Sequence, residues 1–166
     1  MDLTLKNISD ALAELCAQHV SLGADNYFRF DMEFSEKMAA QNLFGEYVML
    51  MQPMTTFFTG QTEAQTYKRV RVEFSILAPG TTLGNYDGHE DDINNCEVIA
   101  TEIIKRIRHY SENFGNSPVV FSTFDYRTLN GAPIMLEADN RSGFSYSFEL
   151  YEFIPLVMDE SKWNDL

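Results

Sequence analysis

The chain has little of what most protein chemistry requires. Its 166 residues include two cysteines, one tryptophan and three histidines, and only 12 lysines and arginines stand against 25 aspartates and glutamates. Cys16 and Cys96 fall on apolar positions of predicted helices, which points to two buried reduced thiols in a cytosolic setting rather than a disulfide. His19, His89 and His109 are scattered, with no His-x-x-x-His pair and no cysteine at zinc spacing, so a metallohydrolase lacks its ligands. No apolar run is long enough for a membrane span. The first residues, Met1-Asp2-Leu3-Thr4-Leu5-Lys6, lack the basic and apolar regions of a signal peptide, so the sequence predicts a soluble protein that does not use that route. A net charge of −13 argues against gripping nucleic acid, which needs clustered cations to replace counterions. It suits plain solubility, or a surface that nucleic acid passes without sticking.

Catalytic signatures are missing as well. There is no Gly-x-Ser-x-Gly elbow, no Gly-x-Gly-x-x-Gly and no Walker-type loop, and neither cysteine sits among bases. The acidic stretch at residues 85–92, Asn-Tyr-Asp-Gly-His-Glu-Asp-Asp, offers hard oxygen ligands but not the spacing of an EF-hand, so helix capping by Asp91 or Asp92 is the expectation. Glu137 and Asp139 would share a face of an extended segment, as a carboxylate pair can, yet acids beside a turn are usually solvated. The sequence predicts no catalytic residue, no metal site and no cofactor.

What is present is periodicity. Leu5, Ile8, Leu12, Leu15 and Leu22 recur at helical spacing, predicting an amphipathic helix over residues 5–22, capped by Ser9 or Asp10 and stopped by Gly23. Phe28, Phe30, Met32 and Phe34 alternate with polar residues, which predicts a strand over 27–34, followed by an irregular or helical piece at 35–44 and a strand at 47–52. Residues 53–66 turn polar and Thr-rich around Phe57 and Phe58, the mark of a projecting loop or hairpin. Alternation returns at 68–77, where Val70, Val72, Phe74 and Ile76 oppose Arg69, Arg71, Glu73 and Ser75. A second helix is predicted over 93–110. Strands follow at 119–126 and 133–138, joined through Asn130-Gly131, a tight-turn signal. The last strand carries Phe144, Tyr146, Phe148 and Leu150 on one face, after a turn at 139–143.

The order helix, three strands, helix, three strands predicts a two-layer α+β domain, an antiparallel sheet packed against two helices with a long projecting arm. Its length suits one domain over residues 1–158, with the arm at about 53–66 and a polar tail at 159–166 that carries Trp163. The exposed aromatics Phe57, Phe58, Tyr151 and Trp163 are the candidate subunit contacts, since aromatic anchors and strand edges are how subunits pack.

This order, closing with Asp139, Gly143 and Phe144 and then Tyr146, Phe148 and Leu150, resembles the tail terminator and neck proteins of tailed bacteriophages. Two features depart from the family pattern: Phe144 stands where a tryptophan is common, and residues 35–44 are extra. The resemblance implies a non-enzymatic virion protein that self-assembles into a ring at the head–tail junction, beside neighbouring neck or tail proteins, with DNA crossing an acidic lumen and no membrane contact. Terminator, adaptor and stopper positions are all compatible with it. A cytoplasmic ligand-binding or regulatory domain that uses the aromatic face as a pocket is the alternative.

Overall fold

The computed structural model describes residues 3–30, 33–36, 45–62, 65–80, 84–113, 118–136 and 140–156. The first helix, α1 (Leu5–Gln18), starts on Thr4, whose hydroxyl accepts from the Asn7 N–H at 3.2 Å. Ser9 and Asp10 therefore lie inside the helix rather than at its cap. Ile8, Leu12, Leu15 and Cys16 are buried, while Leu5, in step with them but in the first turn, is exposed. The helix stops before the expected residue 22 because His19 is extended and the Gly23 N–H returns to the Cys16 carbonyl, a closing turn that takes up orphaned acceptors.

The second helix, α2 (Tyr86–Glu112), begins well before residue 93, because the Asn85 side chain caps it by accepting from the Gly88 N–H at 3.1 Å. The acidic stretch thus forms the cap and first turns of a helix, not a loop. The stripe Cys96, Ile99, Ala100, Ile103, Ile107 and Tyr110 is buried.

Six strands form one sheet: β1 (Tyr27–Arg29), β2 (Val48–Met51), β3 (Thr55–Gly60), β4 (Thr66–Leu77), β5 (Phe124–Leu136) and β6 (Arg141–Phe153). The spatial order is β1-β2-β4-β6-β5, with β3 also on β4. β4 and β6 are the antiparallel spine, in register from Tyr67 opposite Phe153 to Leu77 opposite Gly143. β2 and β3 lie end to end along the other side of β4, and between them the Gln52 N–H still donates to the Glu73 carbonyl at 2.9 Å. The predicted arm is therefore a β3–β4 hairpin. β1 pairs with β2 in parallel, so the sheet is mixed rather than wholly antiparallel.

Both helices cover one face. There Met49, Met51, Val70, Val72, Phe74, Ile76, Phe148 and Leu150 meet the stripes of α1 and α2 in one core. Burying each large apolar side chain contributes about 1.5–3 kcal/mol, which makes this layer the main source of stability. The architecture is two-layer α+β.

Three further expectations are corrected. The strand at 27–34 lasts three residues, since Phe30 takes φ 68°, a left-handed conformation that breaks extension, and residues 33–36 are helical. The piece expected at 35–44 lies mostly outside the described residues. Asn130-Gly131 is not a turn: β5 runs through it, with a bulge between Asp125 and Asn130 merging the two predicted strands behind a 3-10 turn at Val119–Thr123. Gly131 is there because a Cβ would come within 2.6 Å of the Tyr146 ring and 2.7 Å of the Phe144 ring. Gly143 likewise sits in β6, not in a turn, where a Cβ would run into the Ile76 carbonyl oxygen.

Candidate interaction surface

Register across β3, β4 and β6 decides which side chains share a face. Phe57 lies opposite Arg69, and Arg69 opposite Tyr151, so these three form one row across three strands on the face away from the helices. Thr59, Tyr67 and Phe153 form the next row, and Thr55, Arg71, Glu149 and Asp125 the row on the other side. Phe58, opposite Lys68, points to the helix side and is half exposed. Of the four predicted contact residues, Phe57 and Tyr151 are thus brought together, Phe58 is placed on the opposite face, and Trp163 lies outside the described residues. Glu137 and Asp139 lie outside them as well.

The aromatic rows are knit at one end. Tyr67 stacks edge-on against Phe153 (ring centroids 5.5 Å apart, 69°) and against Tyr151 (6.3 Å, 77°). All three are exposed. A shallow depression at the arm tip is lined by Gly60, Gln61, Gln65, Tyr67 and Phe153.

Beside the aromatics runs an ion network. The Arg69 and Arg71 guanidiniums each donate to a different oxygen of Glu149, at 3.1 and 3.0 Å, and Arg69 lies 3.8 Å from Asp125. Arg127 donates to both Asp125 carboxylate oxygens, at 2.9 and 3.0 Å. Those bonds hold the Asp125 carboxyl below its ordinary range, against a smaller opposing push from desolvation. The acids are nearly buried, at 8 % and 10 % side-chain exposure for Asp125 and Glu149, whereas Arg71 and Arg127 are 58 % and 74 % exposed. The acids are sunk and the guanidiniums face water, so this patch of an acidic protein presents positive charge outward.

Elsewhere, both thiols and His89 are enclosed. Burial pushes both the Cys16 and Cys96 thiols up to about 12, which keeps them protonated and non-nucleophilic. Both are free and buried. His89 is buried beside Ser142, with Nδ1 3.2 Å from its Oγ. Between the helices, the small concavity lined by Leu15, Gln18 and Ile103 is bridged by His19 Nε2 and a Glu102 carboxylate oxygen at 2.9 Å. Among the described residues, no group of three or more His, Cys, Asp or Glu is placed to hold a metal ion, and no helix is long and apolar enough to cross a membrane.

The sequence reading missed Tyr67, Phe153, Arg69, Arg71, Arg127, Asp125 and Glu149 as members of one surface. The alternation of 68–77 and 144–150 already put Arg69, Arg71, Glu149 and Tyr151 off the buried face, and extending it to Tyr67 and Phe153 would have found most of the cluster.

The fold and surface define a class: a two-layer α+β domain with an extended β-hairpin arm and an open face of aromatics and arginines. No protein-family model, no curated protein and no solved structure matches the chain.

Proposed function

We propose that the protein is a non-enzymatic virion structural protein that assembles, in the host cytoplasm, into a homo-oligomeric ring in a phage neck or tail, as a tail terminator or head–tail connector. The observation that carries this reading is the open row of Phe57, Arg69 and Tyr151 with its neighbours Tyr67 and Phe153, a face rich in the residue types that anchor protein contacts. The arm-side arginines give it a positive cast, and the chain as a whole carries −13. A basic patch that meets an acidic surface of the next copy is a contact between unlike surfaces, and repeated unlike contacts close into rings or run into filaments. An acidic lumen would then let DNA pass without being held.

Negative-stain microscopy with sedimentation velocity tests the reading. Rings of uniform size are expected, and removing residues 55–65 should leave folded particles too small to be rings. A wild-type protein that stays monomeric at every concentration and salt overturns it, as does ring formation unaffected by removal of the arm.

A further inference from the structure

We infer that β3 is built to pair edge to edge, antiparallel, with β3 of a second copy across a two-fold axis, extending the sheet from one molecule into the next. Among the described residues the sheet has three open strand edges, on β1, β3 and β5. An open edge exposes unpaired N–H and C=O groups and is normally blunted by shortness, charge, proline or a bulge. Two of the three are blunted in these ways. β1 is three residues long. β5 carries the bulge between Asp125 and Asn130, the charged Arg127, and Pro133, which lacks an N–H. β3 has none of these devices. It is six residues long, Thr-Thr-Phe-Phe-Thr-Gly, pairs with β4 in unbroken register, and exposes every residue except the half-buried Phe57.

A second copy is the occupant that the edge itself admits. Two chains of −13 repel over most of their surfaces, but residues 52–62 contain no charged side chain, so two β3 edges can meet without opposed carboxylates. The edge is also self-complementary. Directly opposed residues of an antiparallel pair point to the same face, so a two-fold axis normal to the sheet must pair residues of like parity. Centring the axis on Phe57 sets Phe57 against the second copy's Phe57, Thr55 against Thr59 and Thr56 against Phe58. These are aromatic–aromatic, Thr–Thr and aromatic–β-branched pairs, the kinds that stabilise sheets. Such a contact closes on itself in a dimer and needs no ring; within a ring assembly it would join arms of two stacked rings rather than neighbours in one. It therefore stands apart from the ring reading.

Cysteine cross-linking reads the register directly. Opposed Cα atoms across an antiparallel pair lie about 4.5–5.5 Å apart, within disulfide reach, whereas residues displaced by four positions are about 14 Å apart. Under mild oxidation Phe57→Cys should form a disulfide dimer with itself. Thr55→Cys alone should not, but mixed with Thr59→Cys it should cross-link, while the buried Cys16 and Cys96 stay out of reaction. Phe57→Lys, which sets like charges opposite one another, should weaken dimerisation of the otherwise wild-type chain at least about tenfold in sedimentation equilibrium, with an unchanged circular dichroism spectrum. Dimers that persist in Phe57→Lys, or Thr55→Cys linking to itself as readily as Phe57→Cys, overturn the pairing even if rings form. Dimers with the expected cross-links but no rings support the pairing and overturn the ring.

Discussion

The sheet face turned away from the helices is closed at one end and open at the other. At the β1–β2 end, Phe28, Phe34, Val48, Leu50 and Leu77 form a second small core, with Ile134 and Leu136 packed against it. Phe28 and Phe34 meet edge-on at 5.5 Å. Arg141 is completely buried there, donating to the Glu46 and Ala78 carbonyls at 3.1 and 3.0 Å with its guanidinium 5.7 Å from the Phe34 ring. At the arm end β3, β4 and β6 present Phe57, Tyr67, Tyr151 and Phe153 on the same face, and three of these four are exposed. Both ends spend large aromatics on this face. Among the described residues only one end has its cover from within the chain, and a cluster of exposed aromatics is the informative kind of exposure.

The contrast predicts opposite behaviour under substitution. The largest effect belongs to the closed end. Phe28 is fully buried, so Phe28→Ala should cost about 3–5 kcal/mol by lost burial and a residual cavity, and lower the midpoint of denaturant unfolding accordingly. A loss below about 0.5 kcal/mol, the usual range for surface positions, would mean that the second core does not seal that end.

A smaller effect separates the ion network from the aromatics. Asp125 has a depressed carboxyl pKa in the folded protein, so it binds a proton less readily there than in the unfolded chain. Its contribution is complete above the ordinary carboxylate pKa and is lost as pH falls through the lower folded value. Asp125→Asn should therefore reduce stability at neutral pH by less than Phe28→Ala does, and should flatten the acid limb of the stability curve. An acid limb with the wild-type slope would show that Arg127 and Asp125 do not act as a pair. Salt should weaken the pair only partly, since the acid is sunk while the base is exposed.

The halves of this contrast were unequally legible. β4 and β6 declare themselves by period-two alternation, and the stripes of α1 and α2 by helical spacing, because those patterns are local. The parallel pairing of β1 with β2 joins segments with no sequence signal of their partnership. Asn130-Gly131 misled because glycine serves two purposes, left-handed turns and close approach, and here the Tyr146 and Phe144 rings require the second. Gly143 was misread for the same reason, with the Ile76 carbonyl as the neighbour. In the sequence Phe57 and Phe58 read alike as anchors; the strand geometry of β3 makes consecutive residues face opposite ways. The row of Phe57, Arg69 and Tyr151 needs two registers at once, which no single segment carries.

The smallest expected change in stability is at the open end, and there it is the most telling. Tyr151 is exposed and contacts Tyr67 edge-on, so Tyr151→Ser should alter folding stability by no more than about 0.5 kcal/mol, the usual range for surface positions. Assembly should respond far more strongly, because a truncated aromatic at the centre of a protein contact often costs about 2 kcal/mol or more of binding. Thermal melts and sedimentation of the same preparation separate the two effects. A variant that melts like wild type but fails to assemble places Tyr151 on a surface completed by another molecule. A variant that loses stability as Phe28→Ala does, with assembly following only through unfolding, would make the arm end a core like the other and remove the contrast.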